Sequence, residues 1–119
     1  MKKIGIIGSR RRDSESDHRK ILEQVAKLYE EGDRIISGGC PKGSDRFAEM
    51  IARSLGCSIL IFYPNWDDHG RGAGFVRNTY IADESDILIA CVAEDRKGGT
   101  EDTIKKFLKN KSENNLYLV

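Results

Sequence analysis

Ile35-Ile36-Ser37-Gly38-Gly39-Cys40-Pro41-Lys42-Gly43-Ser44-Asp45-Arg46-Phe47-Ala48-Glu49-Met50-Ile51-Ala52-Arg53-Ser54-Leu55, residues 35–55, passes through three kinds of sequence in succession. It opens on a short apolar run, Ile35-Ile36. A glycine-rich stretch follows, and then Phe47, Ala48, Met50, Ile51, Ala52 and Leu55 recur at helical spacing with charged residues between them. This is the pattern of a strand, a tight turn and an amphipathic helix.

The same alternation extends in both directions. Ile4 to Ile7, Ile59 to Phe62, Ile87 to Val92 and Leu116 to Val119 are further apolar runs. They are continuous rather than alternating, as in parallel strands covered on both faces. Ile21, Leu22, Val25, Ala26, Leu28 and Tyr29 form a second helical face, and helices are expected at 73–82 and 100–109. Ser14 and Asp17 are spaced as a capping pair, while Gly32 and Gly56 stand where left-handed helix termini are expected. The order predicts one α/β domain over residues 1–119: a Rossmann-like, doubly wound, mainly parallel five-stranded sheet with helices on both faces and right-handed crossovers. Ser112 to Asn115 reads as a polar turn before the last strand.

Composition narrows the function classes. A charged fraction of 33% and a hydrophobic fraction of 39% suit a folded globular chain. Twenty Lys and Arg against 19 Asp and Glu give a net charge of +1, so duplex nucleic acid finds no broad basic surface and any anion site must be local. Arg10-Arg11-Arg12 is the one basic cluster, read either as a solvated loop or as facing a phosphate. Cys40, Cys57 and Cys91 fit neither a disulfide framework nor a zinc site, and His18 and His69 lie near no cysteine. No metal or cofactor is expected. The first apolar run stops at Gly8, too short for a leader or a membrane span, and a cytoplasmic location is expected.

In an open parallel sheet, ligands bind beyond the carboxyl ends of the strands. There the sequence places Gly8-Ser9-Arg10, Gly38-Gly39 through Gly43-Ser44-Asp45, Pro64 to Gly74, and Lys97-Gly98-Gly99-Thr100. Glycine lets an anion approach the backbone, and helix N-termini offer N–H groups without internal partners. A phosphate on the N–H groups of Gly39, Gly43 and Gly99 is therefore expected. Neither a P-loop nor a dinucleotide fingerprint is present.

Several side chains keep two readings. Ser44 either caps a helix or donates to phosphate, and Asp45 reads first as an N-cap. Trp66 either covers a base or ribose or plugs the sheet edge. Arg77, followed by Asn78, either grips a phosphate or pairs internally with Asp45 or Asp83.

Together, Gly8-Ser9-Arg10, Ser37 to Gly39, Gly43 with Asp45, Trp66 with Gly70, Ala73-Gly74, Arg77-Asn78 and Gly98-Gly99-Thr100 resemble the SLOG superfamily. The resemblance is closest to its small YspA-like branch and spans nearly the whole chain. It implies a Rossmann-like fold, a nucleotide or sugar-phosphate ligand and a homodimer or higher homo-oligomer. The LOG-type phosphoribohydrolases of the superfamily split nucleoside 5'-monophosphates into base and ribose 5-phosphate. Their Pro-Gly-Gly-x-Gly-Thr-x-x-Glu motif is similar to Lys97-Gly98-Gly99-Thr100-Glu101-Asp102-Thr103, here shortened and without its proline. In that likeness Arg77 is the catalytic arginine and Glu101 or Asp102 the acid. The superfamily also includes the single-stranded-DNA-binding protein DprA, but the near-neutral charge gives nucleic acid no independent support. A domain that only binds other proteins is the remaining alternative.

Overall fold

The computed structural model describes residues 1–119, and its five apolar runs are strands: β1 (Lys3–Gly8), β2 (Arg34–Ser37), β3 (Ile59–Ile61), β4 (Ile87–Cys91) and β5 (Leu116–Leu118). They form one sheet in the order β3-β2-β1-β4-β5, with every neighbouring pair parallel. Ile4 aligns with Ile35 on one side and Ile87 on the other. The chain therefore builds outward from β1 to one edge and then crosses back to β4. This reversal opens a crevice between the carboxyl ends of β1 and β4.

Alternation along the strands divides the core into two layers. Ile4, Ile6, Ile35, Ile89 and Cys91 face Ile21 and Val25 of α1 (Glu15–Leu28) and Phe47, Ala48, Ile51 and Ala52 of α2 (Ser44–Leu55). Ile7, Ile36, Leu88 and Ala90 face the other way. They meet Ile81 and Ala82 of a helix over Ala73–Glu84 and Ile104 and Phe107 of one over Gly99–Asn110. Each fully buried isoleucine or phenylalanine contributes about 1.5–3 kcal/mol relative to exposure. Burial on both faces explains the unbroken apolar runs.

Local chemistry sets the helix ends. Ser14 Oγ accepts from the Asp17 N–H at 3.1 Å, and Asp17 Oδ2 accepts from the Ser14 N–H at 3.2 Å, closing a capping box on α1. Gly56 ends α2 in the left-handed conformation, as expected. Gly32 does not end α1: the chain already turns extended at Tyr29, and Gly32 lies in the following turn with φ +93°.

The long connection after β3 also differs from a plain loop. It contains a short helix, α3 (Trp66–His69), and a 3-10 turn over Gly70–Gly72 before α4 (Ala73–Glu84). Asn65 Oδ1 accepts from the Asp68 N–H at 3.1 Å and so caps α3. Beyond β4 comes α5 (Gly99–Asn110), adjacent to α4. Lys111 Nζ donates to the carbonyls of Ala82, Asp83 and Ser85 at 2.8, 2.6 and 2.5 Å, placing a cation at the negative end of α4. No helix is long and apolar enough to cross a membrane.

Candidate functional site

Two adjoining cavities open where the strand ends meet the helix starts. The first, of about 380 Å³, lies over β1 and β4 and is lined by Gly8, Ser9, Asp45, Lys97, Gly98, Thr100 and Thr103. The second, of about 730 Å³, is walled by Gly38, Gly39, Tyr63, Trp66, Arg71 and Phe75. Arg10, Arg11, Cys40, Lys42, Arg77, Asn78 and Gly99 line both, so the cavities form one continuous cleft. All four expected loops contribute to it.

The two glycine turns differ in their free hydrogen-bond donors. In the turn into α2, the Gly39 N–H donates weakly to Ser37 Oγ at 3.4 Å and the Cys40 N–H to Asp45 Oδ2 at 3.0 Å. The Gly43 N–H donates to Asp13 Oδ1 at 2.7 Å. The expected phosphate donors Gly39 and Gly43 are thus occupied by this chain's own oxygens. Asp45 is not the N-cap, because Gly43 holds that position without a side-chain cap and the Asp45 carboxylate reaches back into the turn. Ser44 neither caps nor lines the cleft. Its Oγ is fully buried without a hydrogen-bond partner, against Gly8 and beside the Cys91 thiol.

Close packing accounts for Gly43 as well. A Cβ there would lie 2.8 Å from the Ser9 carbonyl oxygen, and its φ is +71°. Gly38 makes room for Arg77, whose Nη1 would lie 2.6 Å from a Cβ at that position.

The turn into α5 leaves its donors open. The N–H groups of Gly98, Gly99 and Thr100 have no partner within the chain, and the Gly98 N-cap carries no side-chain cap. Gly98 has φ +114°, conformational space reserved for glycine, yet a Cβ there would meet nothing within 4 Å. The backbone bends here toward open cleft.

Arg77 lines the same cavity as these donors. Its Nη1 donates to the Gly38 carbonyl at 2.7 Å and its Nε to Asn78 Oδ1 at 3.0 Å, while Nη2 makes no hydrogen bond. It forms no ion pair with Asp45 or Asp83. Asn78 is buried and serves mainly as a strut: its Nδ2 donates to the Gly99 carbonyl at 3.3 Å and to Asp102 Oδ2 at 3.2 Å. It thereby holds Arg77 against the start of α5.

The acids named by the LOG resemblance lie elsewhere. Glu101 is paired in bidentate fashion with Arg96 at 2.8 Å on both oxygens, and Asp102 accepts from Lys106 Nζ at 2.8 Å as well as from Asn78. Neither lines the cleft. The one carboxylate that does is Asp45. Burial pushes its carboxyl above the ordinary carboxylate range, outweighing the opposing pull of the Cys40 N–H and the Arg77 charge. Asp13 shifts the other way: the Gly43 N–H, and then Arg46, hold it below that range.

Cations dominate the remaining lining. Arg12 is spent structurally on Asp17 and on the carbonyls of Val92 and Val119, and Arg11 is paired with Asp95. Arg10, Lys42, Arg71, Arg77 and Lys97 line the cleft without an acidic partner. Only Arg10 of the arginine triplet thus faces the cleft unpaired. Lys42, Arg71 and Lys97 were not singled out from sequence, although each stands beside a glycine or proline in one of the four rim loops. Trp66 does not plug the sheet edge; it is 59% exposed on the wall of the second cavity. His69 ends α3 away from both cavities. No group of three or more His, Cys, Asp or Glu side chains is arranged to hold a metal ion.

No family model, curated protein or solved structure matches this chain, so the cleft must be read from its own chemistry.

Proposed function

We propose that this protein binds a nucleotide or nucleotide-derived ligand by its phosphate, as a binding or sensor domain. The observation that carries this reading is the three partnerless N–H groups of Gly98, Gly99 and Thr100, which share a cleft with Arg77 and four other unpaired cations. Backbone donors at a helix start together with a forked guanidinium are well suited to phosphate oxygens. Relative to the sequence expectation, the phosphate moves from between the two glycine turns onto the turn into α5. The SLOG resemblance, a cytoplasmic setting and homodimerisation belong to the same proposal.

The N-glycosidic hydrolase reading draws no support from this geometry, because Glu101 and Asp102 are held away from the cleft by Arg96, Asn78 and Lys106. A thermal-shift panel of nucleotides, sugar phosphates and inorganic phosphate tests the binding reading. A ligand at 100 times its Kd stabilises the fold by about 2.7 kcal/mol. Arg77→Ala should lose at least tenfold in affinity while remaining folded by circular dichroism. A flat panel, or unchanged affinity in that variant, would refute the proposal.

A further inference from the structure

Asp45 is the single carboxylate in a cleft whose other charged groups are cations. Its half-buried side chain reaches back from the first turn of α2, and its Oδ2 accepts from the Cys40 N–H at 3.0 Å. A Cβ placed on Gly38 would lie 3.0 Å from Asp45 Oδ2 and 2.6 Å from Arg77 Nη1, so carboxylate and guanidinium crowd the same point. They form no ion pair, because Arg77 Nη1 donates to the Gly38 carbonyl instead.

The charged and titratable groups that share the cavity with Asp45 come from every element around it. The turn after β1 supplies Arg10 and Arg11, the latter paired with Asp95. The turn into α2 supplies Cys40 and Lys42, α4 supplies Arg77, and the turn into α5 supplies Lys97. On α2 itself Arg46 is turned away to Asp13. No histidine lines the cleft. An anion held by the N–H groups of Gly98, Gly99 and Thr100 shares this cavity with Asp45 and draws on the same Arg77. Like charges in one site disfavour each other's ionised form. Burial already biases the Asp45 carboxyl toward its neutral form. A neutral carboxyl removes the repulsion and gains an O–H donor that suits an anion oxygen.

We infer that Asp45 couples anion binding to proton uptake: its carboxylate accepts a proton from solvent as a dianion enters the cleft and returns it when the dianion leaves. This rests on the phosphate-binding reading above and adds to it a dependence on acidity. The complex holds the proton more tightly than the free cleft does, so affinity rises as pH falls.

Sulfate is the probe, because it is a tetrahedral dianion of constant charge in this range, whereas a phosphate ester itself titrates near about pH 6. Ordinary lysine, arginine and cysteine side chains also keep one charge state between about pH 5 and about pH 7.5. In thermal-shift titrations of the full chain, sulfate should bind about tenfold more tightly at the acid end of that range than at the other. In Asp45→Asn the difference should fall within about twofold. A flat profile in the parent protein, or the same slope in Asp45→Asn, would overturn this inference and leave the phosphate-binding reading intact. Titration calorimetry of the parent in two buffers of different ionisation heat needs no variant: heats independent of the buffer at mildly acidic pH would also overturn it. Equal stabilisation of the parent and Arg77→Ala would mean that sulfate acts only by exclusion from the surface, and would refute both readings.

Discussion

The turns into α2 and α5 are both glycine-rich, both follow a strand and both start a helix, yet they do opposite things with their backbone N–H groups. In the first, Ser37, Asp45 and Asp13 supply oxygens to the N–H groups of Gly39, Cys40 and Gly43. In the second, no oxygen of the chain accepts from the N–H groups of Gly98, Gly99 or Thr100. A glycine turn thus has N–H groups free for an anion only where the chain does not fill it with its own oxygens. Steric surroundings show the same contrast: a Cβ on Gly43 meets the neighbouring loop, and one on Gly98 meets open space.

The comparison breaks most visibly through Gly43→Val. Both the positive φ and the 2.8 Å approach to the Ser9 carbonyl oppose a side chain. Strain and overpacking together should cost about 3 kcal/mol, read as a lower midpoint in urea unfolding. A midpoint within error of the parent would mean that the first turn is not constrained by packing.

Gly99→Pro acts on the second turn. Position 99 is the first residue of α5, where proline is tolerated and removes an N–H that has no internal partner. Stability should change by no more than about 0.5 kcal/mol, while affinity for a phosphate ligand falls about tenfold, or about 1.4 kcal/mol. Equal affinity would show that this N–H does not face the ligand.

The smallest effect concerns pH, where the two carboxylates filling the first turn respond oppositely. Asp45 has a raised carboxyl pKa, so its contribution to stability is fully present below the unfolded value and is lost as pH rises through the folded one. Asp13 has a lowered pKa, so its contribution is present above the unfolded value and is lost as pH falls through the folded one. Asp45→Asn should therefore remove a stability gain seen on mild acidification, and Asp13→Asn a stability loss seen at more acidic pH. Urea midpoints measured across that range separate them; parallel profiles for both variants would contradict the assignments.

Fold and site were legible to different depths. The strands and most helix positions could be read because apolar periodicity is local: a strand buried on both faces shows it within a few residues, as at Ile35-Ile36, and a helix within two turns, as from Phe47 to Leu55. The capping box at Ser14 and Asp17 was equally readable, since both partners lie on one helix turn. The convergence of four loops on one rim followed from the alternation of strand and helix.

The roles of individual groups within that rim were not legible, because their partners are distant in sequence. Asp13 reaches Gly43 across 30 residues and Arg77 reaches Gly38 across 39. Arg11 is claimed by Asp95 across 84, which removes it from the set of unpaired cations. By itself, then, the sequence determined the parallel sheet, the helices covering it and the edge on which the glycine-rich loops gather around a cleft. Which glycine turn keeps free N–H groups, which arginines stay unpaired and which carboxylate lines the cleft were decided only in the tertiary structure. A hydrogen bond or an ion pair depends on distances of a few ångströms, and the fold sets those distances between residues far apart in the chain.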